Sequence, residues 1–234
     1  MINDSNESLV NVYRVIQNSP EELIGKLEGI QKEYHALAAH ADRRAYFMEK
    51  RTFFNEGGPD DVTRAALFIF FMRTCYNGIY SINRSGKLSV TFGAGNRAKI
   101  LEEDLLRLNH KLLQGVVILD GDYRQTGRYT GEKTFFYFDP PYKPVNESGG
   151  CTSYMPDDFD DNDQIRLAEF CRDLGDAGSK WMLSNSDPRE KDPTNTFFDD
   201  LYDGFHIQRL SIFRSVCSIA EKRKSVNELL IRNY

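Results

Sequence analysis

Phe135-Phe136-Tyr137-Phe138-Asp139-Pro140-Pro141-Tyr142 organises everything around it in this chain. Four consecutive aromatics predict a buried β-strand. The two prolines can neither continue a ladder nor enter a helix interior, so the strand ends at Asp139. A carboxylate, a rigid turn and an aromatic ring are thereby gathered at the carboxyl end of a strand. In open α/β sheets that edge is where ligands bind. The plainer reading is a strand that simply ends in a proline turn. Average residue usage makes a chance Asp-Pro-Pro-Tyr in a chain this long roughly a one-in-a-thousand event.

Such a cluster suits attack by an exocyclic amine of a nucleobase. That nitrogen is a poor nucleophile because its lone pair is delocalised into the ring. Asp139 and the Pro140 carbonyl are suited to accept its two N–H hydrogens, draw it toward tetrahedral geometry and stabilise the developing positive charge. The fixed φ of Pro140 and Pro141 holds that carbonyl in place beforehand. Tyr142 is suited to stack on a base extruded from its duplex.

Composition is that of an ordinary globular chain: 234 residues, 40% hydrophobic and 28% charged. One α/β domain, with room for a small inserted subdomain, fits this length. No apolar run reaches a membrane span, and residues 1–12 lack the regions of a signal peptide. The expectation is a cytoplasmic protein that does not engage a membrane. Cys75, Cys151, Cys171 and Cys217 form no C-x-x-C pair, so reduced thiols are expected. The four histidines are scattered and suggest no metal site.

A net charge of −5 is unpromising for a nucleic-acid binder, but the charge is unevenly placed. Residues 62–100 hold Arg64, Arg73, Arg84, Lys87, Arg97 and Lys99 with no acid. Residues 205–224 hold Arg209, Arg214, Lys222, Arg223 and Lys224 against Glu221. Two basic stretches on an acidic body form an electrostatic footprint for phosphates; a solvated basic face is the alternative.

Outward from the aromatic strand, several elements are predicted. Residues 20–36 read as a helix, with Ser19 as cap and Pro20 in the first turn. Residues 60–76 read as a second, opened by Asp60 and Asp61. Residues 79–92 read as a hairpin turning at Asn83-Arg84-Ser85-Gly86, with 88–92 a short strand. A helix over 96–110 carries Ile100, Leu101, Leu105 and Leu106, and 116–119 is a buried strand running into Asp120-Gly121-Asp122. Residues 143–158 read as a loop, 161–174 as a helix and 181–184 as a strand. Residues 205–213 and 226–232 form a closing antiparallel pair. No internal repeat is present.

Together these blocks resemble the Dam-type (D12 class) DNA adenine-N6 methyltransferases over essentially the whole chain. Carrying the likeness are Ile2-Asn3-Asp4, Arg73-Thr74-Cys75-Tyr76-Asn77-Gly78-Ile79-Tyr80, Gly121-Asp122-Tyr123, Asp139-Pro140-Pro141-Tyr142, Leu183-Ser184-Asn185-Ser186 and the ending Glu228-Leu229-Leu230-Ile231-Arg232-Asn233-Tyr234. The resemblance implies an α/β fold: a Rossmann-like methyltransferase sheet with a mostly helical DNA-recognition insertion. Residues 1–45 and 111–234 would form the catalytic domain and 46–110 the recognition part. It implies S-adenosylmethionine as cofactor and double-stranded DNA as partner, with oligomeric state open and a monomer the simpler expectation. By the resemblance, Asp139, Pro140, Pro141 and Tyr142 are catalytic. Asp4 would bind the ribose of the cofactor, Asp122 and Tyr123 its adenine, and Asp139 would also border it. Arg73, Tyr76, Asn77 and Gly78 would lie in the recognition region. There Tyr76 would wedge at the flipped site and Asn77 would meet an adenine edge, with Arg84 and Lys87 close by in the hairpin. Asn77-Gly78 also fits a helix C-terminal turn, since both residues tolerate φ > 0.

Two departures from the family pattern stand out. The family places a lysine-containing segment and a Phe-x-Gly-Gly-Gly-type loop before the Ile-Asn-Asp block, at which this sequence starts. Residues 1–234 by themselves are therefore expected to lack a central strand and glycine loop, to bind cofactor weakly and to transfer methyl poorly. Members that read GATC carry an arginine where this chain has Ser81, and end the hairpin differently from Val90-Thr91-Phe92-Gly93-Ala94-Gly95. GATC specificity is accordingly not carried across. A permuted reading takes Thr91-Phe92-Gly93-Ala94-Gly95 as the cofactor loop and Asp120 as the ribose acid. Two further alternatives are a non-catalytic DNA-binding remnant and an amine or amide methyltransferase acting on RNA or protein.

Overall fold

A computed structural model describes residues 1–57, 59–93, 98–144, 159–213 and 225–234. It comprises two compact units, Met1–Tyr123 and Arg124–Tyr234.

In the first unit, β1 (Ile2–Asp4) lies parallel to β2 (Ile118–Asp120), with Ile2 opposite Ile118 and Asp4 opposite Asp120. The 116–119 strand of the sequence reading is thus realised as Ile118–Asp120. Around this pair stand α1 (Glu7–Asn18), α2 (Pro20–Ala36), α3 (His40–Asn55), α4 (Asp61–Thr74) and α5 (Glu103–Leu113). The bounds of α2 match the expected 20–36, and its buried residues Leu23, Leu27, Ile30 and Tyr34 recur at helical spacing. Ser19 occupies the cap position without a side-chain bond; Pro20, Glu21 and Glu22 supply the start signal. α4 begins at Asp60, whose carboxylate accepts from the Thr63 backbone N–H at 2.8 Å. Ala65, Ala66, Leu67, Phe68, Phe70 and Phe71 are buried on every side of it, so α4 is the central helix. Phe70 packs against Tyr34 (5.5 Å), Phe47 (5.9 Å) and Phe71 (5.3 Å) between ring centres. Each buried phenyl contributes about 1.5–3 kcal/mol.

Two expectations are corrected in this unit. Residues 79–92 turn at 83–86 as expected, Gly86 N–H donating to Asn83 O at 2.9 Å, but 88–92 is not a strand. Only isolated bridges link Ile82 to Leu88 and Cys75 to Phe92. Side chains of α3 take the ladder's place. Asn55 bonds both the N–H (2.9 Å) and the C=O (3.0 Å) of Leu88, and Arg51 donates to Val90 O at 2.8 Å. The helix expected over 96–110 begins only at Glu103, because Gln31 Oε1 takes the Ile100 and Leu101 N–H groups at 3.0 and 3.1 Å. Residues 94–97 lie outside the described residues. Of the leucine pair, Leu106 is buried and Leu105 faces outward.

The second unit contains β3 (Phe135–Phe138), α6 (Asp161–Asp176), β4 (Lys180–Ser186), α7 (Phe197–Leu201), β5 (His206–Phe213) and β6 (Ser225–Arg232). Its sheet order is β3-β4-β6-β5; β3 and β4 are parallel, and β6 is antiparallel to both β4 and β5. The closing antiparallel pair and the 161–174 helix are as expected from sequence. A parallel pair needs a crossover, and α6 supplies it, opened by an Asp160/Asp163 capping box. The expectation of a buried strand holds for only one face of β3. Phe136 and Phe138 are buried, while Phe135 is 53% and Tyr137 58% exposed, the alternation a pleated strand imposes. Residues 145–158 and 214–224 lie outside the described residues, and with them Cys151, Cys217, Arg214, Lys222, Arg223 and Lys224. Cys75 and Cys171 are free buried thiols.

Candidate functional site

The second unit holds the Asp-Pro-Pro-Tyr turn at the carboxyl end of β3. Asp139 is exposed, and one of its carboxylate oxygens accepts from the Ser184 hydroxyl at 3.0 Å. Ser184, on the neighbouring strand β4, also meets the Tyr137 hydroxyl at 3.1 Å. The two prolyl carbonyls differ. Pro141 O accepts from Gln164 Nε2 at 3.1 Å, whereas no described residue donates to Pro140 O. Gln164 is fully buried on α6 and its own oxygen accepts from Asn185 Nδ2 at 3.1 Å, Asn185 being fully buried too. Asn185 Oδ1 in turn accepts the Lys143 N–H (3.0 Å), and the Ser186 hydroxyl donates to Lys143 O (2.5 Å). The irregular backbone after the strand is therefore tied down by buried side chains of α6 and β4, which satisfy groups that no ladder reaches.

Tyr142 is half-buried and donates to Glu228 Oε2 of β6 at 3.3 Å. Burial pushes its phenol above the ordinary value. A Ser184 hydrogen bond opposes that shift, and the charges of Glu228 and Asp139 add to it. Lys143 pairs with Asp161 and lies 4.4 Å from the Phe197 ring centre.

In the first unit, Asp4 and Asp120 stand side by side at the carboxyl ends of β1 and β2. Asp4 accepts the Asn6 N–H at 2.8 Å through Oδ1, and its backbone carbonyl accepts from Gly121 N–H at 3.0 Å. No described donor reaches Asp4 Oδ2. Gly121 has φ +104°, which only glycine adopts readily, and the chain turns there to place Asp122 and Tyr123 on the same edge. Asp120 is engaged by Arg14 at 3.8 Å.

The residues expected to serve recognition also lie in this unit. α4 ends at Thr74 with Cys75 extended, so Asn77 (φ +55°) and Gly78 (φ +66°) do not cap it as the helix-terminus reading expects; they form a separate tight turn over Tyr76–Gly78, with Tyr76 and Asn77 exposed. Arg73 is paired with Glu102 at 2.6 Å, and Lys99 joins the same carboxylate at 3.6 Å. Arg84 and Lys87 are exposed at the turn without a carboxylate partner among the described residues. In the other basic stretch, Arg209 is committed to Asp187 (3.1 Å) and Asp199 (2.8 Å). Gly93, central to the permuted reading, is accounted for by packing. A Cβ there would stand 2.9 Å from the backbone oxygens of Thr74 and Cys75.

Sequence reasoning quoted Ser184 and Asn185 only as part of a block and gave Gln164 no part at all. The one available signal was polar residues in the buried run of β4, because buried polar side chains need partners.

The family model for D12 class N6 adenine-specific DNA methyltransferase matches residues 1–216. The chain is 40% identical to the type II methyltransferase M.MjaIII of Methanocaldococcus jannaschii, over all of this chain and 80% of that protein. It is 29% identical to the type II methyltransferase M1.LlaDCHI of Lactococcus lactis subsp. cremoris (100% and 79%). It is 26% identical to the DNA adenine methylase of Haemophilus influenzae (97% and 75%).

Proposed function

The chain belongs to the D12 class N6 adenine-specific DNA methyltransferase family, and on that premise we propose how its own residues serve methyl transfer to adenine N6 in double-stranded DNA. The cofactor is S-adenosylmethionine, which when bound supplies an electrophilic methyl group on a sulfonium. The residues present fit its adenosine half. The second oxygen of Asp4 is open to ribose hydroxyls, and the Gly121 turn sets Asp122 and Tyr123 beside that edge to contact the adenine.

Asp139 and Pro140 act on the target amine. With one carboxylate oxygen fixed by Ser184, the other accepts an N–H of the flipped adenine, and the open Pro140 carbonyl accepts the second. Both acceptors are in position before the base arrives, so their attraction for the positive charge developing on N6 costs no reorganisation. Tyr142, its hydroxyl anchored on Glu228, offers its ring to the base. Residues 46–110 serve recognition, with exposed Tyr76 and Asn77 directed to bases and Arg84 and Lys87 to phosphates. Arg73, held by Glu102, orients the segment's base. The place of action is the cytoplasm, with the DNA.

The observation that carries this reading is the pair of prolyl carbonyls, Pro141 occupied by Gln164 and Pro140 open beside a serine-held carboxylate. Incubation with methyl-labelled S-adenosylmethionine and duplex DNA, then digestion to nucleosides and mass spectrometry, tests it. Label in N6-methyldeoxyadenosine is expected. Label confined to cytosine, RNA or protein overturns the reading.

A further inference from the structure

The first unit also contains a polar concavity lined by Arg64, Tyr80 and Lys87. It is a cleft of about 130 Å³ between the start of α1, the end of α3 and the turn at 83–88. That space is enough for a phosphate group and its solvation. Arg64, Lys87, Ser8 and Tyr80 line it, and none of its lining residues is acidic.

Arg64 is the unusual member. Its guanidinium carbon lies 4.4 Å from the Phe54 ring centre, and one nitrogen donates to Phe54 O at 3.4 Å. Those contacts fix the plane of the fork and leave most of its five donors unused. The side chain is half-buried, yet no described carboxylate lies within ion-pair distance of it. Asp60, one turn earlier on α4, spends its oxygens on the Thr63 N–H and hydroxyl. A partly desolvated cation without a counter-ion is costly in isolation and favours an anion brought from outside.

Two neighbours complete the donor set. Tyr80 stays a neutral phenol because burial pushes its titration up, with the charge of Asp4 acting the same way. Its hydroxyl proton is therefore available to donate. Lys87 stands on a wall held firm by the two Asn55 bonds to Leu88.

We propose that this cleft is a phosphodiester subsite. Arg64, with Lys87 and the Tyr80 hydroxyl, grips one backbone phosphate of the substrate duplex and so fixes where the recognition turn sits along it. The proposal rests on the DNA-methyltransferase reading and deepens it, because phosphate contacts set register and orientation without reading sequence.

The test is equilibrium binding of a short fluorescein-labelled duplex to the full chain across a salt series, for wild type, Arg64→Ala and Lys87→Ala. Arg64→Ala is expected to weaken binding about tenfold at low salt. It should also lower the slope of log affinity against log salt by about one unit, equally on any duplex sequence. Neutral methylphosphonates are then placed one position at a time. At one position the substitution should weaken wild type about tenfold while costing Arg64→Ala nothing further, and Lys87→Ala, whose change lies on an exposed turn, should lose most of its sensitivity there too. An unchanged slope in Arg64→Ala, or methylphosphonate losses of equal size in wild type and variant at every position, overturns the subsite. Nucleoside analysis of the same wild-type preparations separates the two readings. N6-methyldeoxyadenosine without an Arg64-dependent phosphate rejects the subsite alone. An Arg64-dependent phosphate without adenine methylation supports the subsite and rejects the enzymatic reading.

Discussion

The turn at 139–142 leaves β3 among fully buried polar side chains, whereas the segment at 76–92 leaves α4 onto an exposed surface. Gln164 and Asn185 fix the first from beneath, and each is itself bonded on both its oxygen and its nitrogen. Two isolated bridges and the side chains of Asn55 and Arg51 fix the second, and the outer face of its turn carries only solvated groups. Buried networks are rigid because a lost bond leaves a desolvated group behind; exposed turns exchange such bonds with water at little cost. On the proposed reading, the group that meets the developing charge stands in the first setting and the segment that settles onto DNA stands in the second.

Removing the acceptor at the rigid turn should have the largest effect. Asp139→Ala is expected to lower turnover by at least about a hundredfold while cofactor affinity changes less, as for loss of one preorganised electrostatic partner. Rapid-quench methyl transfer and calorimetric cofactor titration check this together. Turnover near wild type would end the distinction between the two regions.

Loosening the turn without touching it comes next. Gln164→Leu frees the Pro141 carbonyl and strips Asn185 of its acceptor. A stability loss of about 1–3 kcal/mol by urea unfolding is expected, and displacement of the turn should lower turnover about tenfold or more. A variant that is less stable but fully active would show that the network serves folding alone.

The segment proposed to serve recognition should respond differently. Asn55→Ala leaves both backbone groups of Leu88 without their partner. DNA affinity by fluorescence anisotropy should fall about tenfold, with transfer at saturating DNA little changed. The smallest effect sits beneath that segment, at the start of α4. The Thr63 backbone N–H, foremost among its contacts, holds the Asp60 carboxyl below the ordinary aspartate value. A depressed native pKa stabilises the fold above the unfolded value of about 3.9 and ceases to do so as pH falls through the native one. Asp60→Ala should therefore cost about 1 kcal/mol near neutrality, and the gap from wild type should close below about pH 4. Thermal unfolding of both across that range checks it.

Legibility in the sequence follows the same division. The aromatic strand, its proline stop and α2 with its Pro20 start are readable because short-range signals fix them. The strand at 88–92 and the helix start near 96 were misplaced because Asn55 and Gln31, 33 and 69 residues away, take the backbone groups a ladder or helix would have used. α1 went unassigned although Asn6 caps it and Val12, Val15 and Ile16 mark its inner face. α3 is masked by its charges, with only Arg43, Phe47 and Phe54 buried. At the site, the carboxylate and both prolines were evident, but Ser184 and Gln164 act across 45 and 23 residues, and only the fold brings them to the turn.

The division of labour between the turn and the segment is tested most directly by single-turnover methyl transfer and DNA binding measured side by side for Asp139→Asn and Asn55→Ala. Asp139→Asn should bind duplex DNA much as wild type does and transfer methyl at least about a hundredfold more slowly at saturating DNA. Asn55→Ala should bind weakly and, once saturated, transfer at close to the wild-type rate. Equal slowing of the transfer step in both variants, or a transfer rate in Asp139→Asn close to wild type, would contradict the account.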